Sequence, residues 1–174
     1  MTRLETERLI LRPFEADDFE DVHEYARDAE VVRYQSWGPN EESDTREFLE
    51  RSMSAFEASE PVDFEFAIVE RATSRVIGGC GVHVRRKLFR EFEVGWTLHK
   101  AHWRRGVGTE AVSNLVAHAF EVLGAHRLYA LIDSRNEASI ALAKKLEFVQ
   151  EGHQRLDSLI HGEWRDTLVF GRLE

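Results

Sequence analysis

The chain has 174 residues, 43% of them hydrophobic, a formal net charge of -9 and a pI near 5.4, enough apolar content to fill one core, so a single domain over residues 1–174 is expected. The acidic balance argues against general nucleic-acid binding, which needs a basic field, and points to small-molecule or cationic partners. No stretch approaches the roughly 20 apolar residues of a membrane helix, charges stand where a secretory leader has its apolar run, and the single Cys80 has no internal disulfide partner, so a cytoplasmic location is expected.

Between Arg8 and Arg12 the alternation of Leu9 and Leu11 predicts a first strand, limited by Pro13. Phe19, Val22 and Ala26 then fall at helical spacing behind Asp17 and Asp18, carboxylates suited to a first turn. Trp37-Gly38-Pro39 is a break. Phe48, Leu49, Ser52, Met53 and Phe56 draw a second helical stripe, with Ser43 or Asp44 as its cap and Pro61 beyond it. Period two returns with Phe64, Phe66 and Ile68, followed by a polar turn at Arg71–Ser74 and a second strand over Val76–Val82. A third strand is expected over Glu91–Leu98, where Phe92, Val94, Trp96 and Leu98 alternate with Glu91, Glu93, Gly95 and Thr97. A helix is expected from about Gly108 to Leu123, carrying Ala111, Val112, Leu115, Val116 and Ala119 on one face, with Gly124 to end it. Arg127–Ile132 reads as a strand, Glu137–Leu146 as a helix, and Phe148–Glu151 and Glu163–Phe170 as closing strands. This order gives an α+β or mixed α/β fold with one sheet.

Arg104-Arg105-Gly106-Val107-Gly108-Thr109 lies between a strand and a helix, so its backbone N–H groups are the unpaired donors of a helix N-terminus and suit phosphate. Gly106 and Gly108 clear side chains from those amides, and Arg104 and Arg105 add positive charge. Taken alone the segment reads better as a plain turn with two glycines. It contains neither GxGxxG nor GxxxxGK[ST].

With its neighbours, the segment resembles the GNAT superfamily, and within it the ribosomal-protein N-terminal acetyltransferases of the RimJ/RimL type. Thr6–Pro13 is similar to the first strand of that branch, Glu93-Val94-Gly95-Trp96 to its fourth, and Trp103–Ala111 to its acetyl-CoA motif. Asn136-x-x-Ser139 is similar to its next motif, and His161–Asp166 to its terminal hairpin. The resemblance implies the GNAT acyl-CoA N-acyltransferase fold, a single mixed, mostly antiparallel sheet flanked by helices and splayed between its fourth and fifth strands. Acetyl-CoA would be the cosubstrate, with its pantetheine arm in the gap and no metal. Cofactor contacts are implied at Trp96, Thr97, Leu98, Arg104, Arg105, Gly106, Val107, Gly108, Thr109 and Asn136. Three positions depart from the pattern: Trp103 replaces a usual Gln or Arg, Ala143 replaces the tyrosine that many relatives use as an acid, and Glu147 replaces a helix-ending glycine, so that a different cap is expected for this helix.

Ser139 is the candidate acid in place of that tyrosine, although a first-turn serine also satisfies backbone donors. Asn136 has a pantetheine contact by resemblance and a helix-capping role on its own chemistry. Glu93 is the candidate general base, on a strand face with Glu91 and Gly95; the plain alternative is a solvated glutamate. His99, His102, His118 and His126 lack metal-ligand spacing, Cys80 lies far before the cofactor loop, and Trp37, Phe56, Phe64 and Phe66 suit a core better than a pocket. The expected reaction is acetyl transfer from acetyl-CoA to a primary amine by direct attack, foremost a protein N-terminus. An α-amine, with a pKa of about 7.7–8.0 against about 10.4 for lysine, needs only modest base assistance. The alternatives are a small-molecule amine acceptor (polyamine, amino acid or antibiotic) and a non-catalytic acyl-CoA-binding domain. The partners are acetyl-CoA and the amine acceptor, without nucleic acid or membrane, in a monomer or homodimer.

Overall fold

The computed structural model describes residues 3–58 and 61–174. In chain order the elements are β1 (Leu4–Glu5), β2 (Leu9–Pro13), α1 (Phe19–Ala26), α2 (Glu42–Glu57), β3 (Asp63–Glu70), β4 (Val76–Arg86), β5 (Glu91–Leu98), α3 (Val107–Glu121), β6 (Arg127–Asp133), α4 (Glu137–Lys145), β7 (Val149–Ile160) and β8 (Glu163–Leu173). The strands form one sheet in the order β1-β2-β3-β4-β5-β6-β8-β7, antiparallel except where β5 meets β6. That parallel ladder covers only Glu91–Glu93 against Arg127–Tyr129. From Val94 onward β5 stays paired with β4 but diverges from β6. This is the expected splay, and the fold is the expected mixed, mostly antiparallel one.

Strand alternation sends the two faces of the sheet to different partners. Phe66, Ile68, Ile77, Cys80, Val82, Phe92 and Val94 pack with the apolar stripe of α3, where Ala111, Val112, Leu115 and Ala119 are fully buried. On the opposite face Ala67, Val69 and Val76 pack with Phe14 and with Val22, Tyr25, Ala26 and Leu49 of α1 and α2. Burying a Leu or Val side chain stabilises by about 1.5–3 kcal/mol, so these two clusters fix the helices to the sheet. Arg12 holds the start of α1 through paired bonds of 2.7 and 2.8 Å to the buried Asp18, which also accepts the N–H of Glu15.

Several boundaries differ from expectation, each for a local reason. The cap of α2 is Glu41, whose side chain accepts from the helix backbone while Asp44 accepts the Glu41 N–H at 2.8 Å. Ser43 and Asp44 therefore lie inside the helix, and the two carboxylates form a capping box. The strand β7 runs to Ile160, far past Glu151, because its ladder to β8 holds a mostly polar, solvent-facing sequence with no apolar alternation to announce it. The helix α4 ends with Glu147 at φ 63°, while Phe148 N–H reaches Ala143 O (3.0 Å) and Glu147 N–H reaches Lys144 O (3.0 Å). Glu147 thus occupies the left-handed position that glycine usually fills.

Candidate functional site

Past Glu93 the β6-facing edge of β5 lacks a strand partner. Trp96, Thr97 and Leu98 lie on this stretch. Trp103 Nε1 donates to Leu98 O (2.8 Å), tying the end of β5 to the loop that follows, and Gln35 Nε2 donates to Thr97 Oγ1 (3.3 Å) from the segment before α2. Trp96 points to the α3 and α4 side and donates its indole N–H to Ser139 Oγ (3.3 Å). Ser139 therefore keeps its own hydroxyl proton free to donate elsewhere.

The loop Arg104–Thr109 leads into α3. Arg104 and Gly106 adopt left-handed conformations (φ 57° and 75°), and Gly106 caps the helix without any side-chain hydrogen bond to its first-turn amides. Those donors remain available for an anion, with Arg104 and Arg105 exposed beside them. Val107 is buried and anchors the turn. The absent side chain of Gly108 makes room for the protein itself, since a Cβ there would stand 3.1 Å from Leu98 Cδ1 and 3.4 Å from Leu142 Cδ2. Thr109 follows in the first turn. The next residue, Glu110, is bound by the Thr6 hydroxyl, the Arg8 N–H and the Arg8 guanidinium. Burial would raise its pKa, but these hydrogen bonds and the Arg8 charge outweigh that and hold it below the usual carboxylate range.

Asn136 caps α4, its Oδ1 accepting Ser139 N–H at 3.1 Å. Asn136 and Ser139 also line a narrow cleft of about 70 Å³ between the diverging strands, with Val94, Gly95, Trp96 and Ala130. A larger cleft of about 710 Å³ lies on the opposite face, between the sheet and the 35–40 segment with α2. Its floor is Gly79, Gly81 and Gly95, and its walls carry Glu65, His83 and Glu93. Both clefts include Gly95 and Trp96, so they meet at the middle of β5.

Glu93 lines the larger cleft, with one oxygen committed: Oε2 accepts from Arg85 Nε (2.9 Å) and from Tyr129 O–H (3.2 Å). Burial, reinforced by the Glu93 charge, raises the Tyr129 pKa. Glu65, two strands away, is pushed above the usual carboxylate range by burial, with His83 acting in the opposite direction. The register Glu65↔Gly81↔Gly95 puts it directly across from the junction of the two clefts.

Sequence reasoning missed Glu65, His83 and the glycine floor. Only inter-strand register brings them together, although three glycines at alternate positions on adjacent strands are a usable signal for an open cleft. Trp37 lines the larger cleft, whereas Phe56, Phe64 and Phe66 form an edge-to-face cluster in the core. Cys80 is distant in sequence yet pairs with Trp96, and its thiol is fully buried and pushed far up by desolvation. Burial, rather than separation along the chain, is what makes it unsuited to nucleophilic attack. Among the described residues no group of three or more His, Cys, Asp or Glu side chains is arranged to hold a metal, and no helix is long and apolar enough to cross a membrane.

A family model described as an acetyltransferase (GNAT) domain matches residues 8–149. The uncharacterized N-acetyltransferase p20 of Bacillus licheniformis is 31% identical, over 100% of this chain and 97% of its own length. The spermidine N(1)-acetyltransferase of Escherichia coli K12 is 28% identical, over 91% of this chain and 82% of its own. Among solved structures, a GNAT-family acetyltransferase from Bacillus anthracis superposes with a TM-score of 0.88 at 26% identity, covering 99% of this chain and 98% of that one. The ribosomal-protein-S5-alanine acetyltransferase of Vibrio fischeri, at 22% identity and a TM-score of 0.83 over 99% and 97%, shares the fold.

Proposed function

The chain belongs to the GNAT acetyltransferase family and is an acetyl-CoA-dependent N-acetyltransferase, and on that premise we propose that its acceptor is a protein N-terminal α-amine, as in the RimJ/RimL branch. One observation carries this reading. The larger cleft opens at the surface and has a floor of strand backbone at Gly79, Gly81 and Gly95, across which an extended peptide could lie with its amine at the junction with the narrow cleft.

The cosubstrate side follows from the donors available. The amides of the α3 first turn, with Arg104 and Arg105, hold the pyrophosphate, and Val107, Gly108 and Thr109 shape that turn. The unpaired edge of β5 around Trp96, Thr97 and Leu98 takes the pantetheine arm and supplies N–H groups to the thioester oxygen as it becomes an oxyanion, and Asn136 lies beside the arm. Glu93 attracts and orients the acceptor ammonium with the oxygen left free by Arg85 and Tyr129. The amine attacks the thioester carbonyl carbon, the C–N bond forms, and the C–S bond breaks with its electron pair on sulfur. Ser139 Oγ, already accepting from Trp96, gives its proton to that thiolate and is reprotonated from the nitrogen through water.

A second reading, a polyamine acceptor, is favoured by Asp44 and Glu47 on the cleft wall with Glu65 and Glu93, carboxylates that could hold a further ammonium. The relative that acts on spermidine is consistent with it. Release of CoA thiol, measured with Ala- and Ser-initiated peptides and with spermidine, separates the two. The proposal expects peptide kcat/KM to exceed that of spermidine at least tenfold; turnover of spermidine with no peptide turnover overturns it.

A further inference from the structure

We propose that Glu65 is the general base that takes the acceptor's proton, and that His83 and Asp63 pass it from the cleft to solvent. The inference rests on the reading that the larger cleft receives the amine.

Three observations support it. The Glu65 carboxylate folds over Gly81: a Cβ at that glycine would stand 2.6 Å from Glu65 Oε2, so only glycine leaves the carboxylate its place. Gly81 is paired with Gly95, so the carboxylate lies one strand spacing, about 4.8 Å, from the residue where the two clefts meet. Nothing stands between, because Gly95 has no heavy atom within 4 Å of where its Cβ would be. Glu93, by contrast, is two positions along β5 from Gly95, and Arg85 draws its Oε2 farther away along the strand. That makes Glu93 an anchor for charge and Glu65 the group nearer the reacting nitrogen.

The third observation is an outlet. His83 Nε2 lies 3.3 Å from Glu65 Oε1, and its Nδ1 lies 2.9 Å from Asp63 Oδ1. The line ends at solvent: His83 is the least exposed member at 17%, between Glu65 in the cleft and Asp63, which is 43% exposed. With Nδ1–H donated to Asp63, Nε2 is free to accept from a protonated Glu65. The titratable groups whose charges act with Glu65 are Asp63 on its own strand, His83 and Arg85 on β4, Arg51 on α2, Tyr25 on α1 and, through the sheet, Cys80 on β4. Its proton affinity is raised mainly by burial, the direction that favours taking a proton from the acceptor.

Proton bookkeeping closes. The ammonium loses one proton to Glu65, which relays it through His83 and Asp63 to water. The resulting amine attacks, and the second proton leaves nitrogen as the thiolate is protonated. The products are the N-acetyl amide, CoA thiol and one released proton.

The experiment compares Glu65→Gln with the parent enzyme on an Ala-initiated peptide and on O-methylhydroxylamine, a nucleophile already neutral at assay pH; spermidine replaces the peptide if the acceptor panel selects it. The expected result is a loss of about 10²- to 10³-fold in kcat on the ammonium acceptor, within the usual range for general base catalysis, and less than tenfold on the neutral one. The acidic limb of kcat/KM against pH should move up in the variant to the ionisation of the acceptor amine itself, about 7.7–8.0 for a peptide, and His83→Asn should give a smaller loss of the same selectivity. Equal losses on both acceptors, or an unchanged acidic limb, overturn the relay. Gly95→Leu, which fills the junction, separates the two ideas. If it is inactive while Glu65→Gln keeps its rate and pH profile, the relay alone fails. If it acetylates normally, the cleft is not the amine site and both fail.

Discussion

Replacing Arg165 by methionine keeps an apolar stem of similar length and removes a guanidinium that joins three parts of the molecule. Nη1 donates to Arg33 O (2.9 Å) in the segment between α1 and α2, and to Asp133 Oδ2 (3.2 Å) at the end of β6; Nη2 donates to the exposed Glu163 (3.3 Å). The pair with Asp133 is enclosed, with side-chain exposures of 10% for Arg165 and zero for Asp133. Stripping one partner from a buried ion pair costs about 3–5 kcal/mol. Two features lower that here: Asp133 Oδ1 still accepts Arg135 N–H at 2.8 Å, and the substitution removes Arg165 Nε, a buried donor with no partner among the described residues. The expected loss is therefore about 2–3 kcal/mol, read as a drop of about 1 M or more in the urea midpoint with the slope unchanged. The double variant Arg165→Met, Asp133→Asn should be more stable than Arg165→Met alone, because a neutral amide needs no counter-charge. Loss of the Arg33 anchor frees the segment that roofs the larger cleft, so, with the acceptor bound there as proposed, KM for the acceptor should rise more than KM for acetyl-CoA. A variant within 1 kcal/mol of the parent, with no recovery in the double and an unchanged acceptor KM, refutes this reasoning.

Glu65→Gln should change stability in a pH-dependent way. The carboxyl binds its proton more tightly folded than unfolded, so the parent protein loses stability as pH rises from the ordinary carboxylate value of about 4.3 through the raised one, a loss glutamine does not share. Denaturation at pH 4 and pH 8 should show the variant relatively more stable at pH 8; an equal difference at both values counts against a raised affinity. Glu147→Gly should stabilise by about 0.5–1 kcal/mol in thermal or urea unfolding, since glycine accepts φ 63° without the Cβ clash and the ion pair lost to Arg172 is surface-exposed. A destabilised Glu147→Gly protein would mean that the Arg172 contact outweighs the backbone strain.

What could be read from the sequence was local. The alternation of Phe92, Val94 and Trp96 placed β5, the stripe from Ala111 to Ala119 placed α3, and the glycines at 106 and 108 marked the turn between them, because each pattern reflects the repeat of one element. Glu65 was not legible as a functional residue, because its importance comes from lying across two glycines from Gly95, a relation between three strands that no single strand encodes. The polar course of β7 was equally silent, since a solvent-facing edge strand held by its ladder needs no apolar period. The caps of α2 and α4 were misread where glutamates stand in roles more often given to Ser, Asp or Gly.

The brief ladder between β5 and β6 also bears on how the protein comes apart. β6, α4, β7 and β8 are contiguous in the chain, and their sheet contact with everything before them is the three-residue ladder at Glu91–Glu93. They are also tied in by the core shared with α3, by the Arg165 strap and by side-chain bonds across the splay, among them Trp96 to Ser139 and Tyr129 to Glu93. The molecule thus has a seam, along which partial opening exposes fewer backbone bonds than at any other ladder inside the two-residue β1 edge, and amides along Val94–Leu98 should exchange with solvent ahead of those in β3 and β4. A cosubstrate bound as proposed, in the splay, would close that seam; at one hundred times its Kd it would add about 2.7 kcal/mol to folding stability. The persistence of the fold then depends on acetyl-CoA supply, so that depletion of the acyl donor would slow the enzyme and loosen it at once.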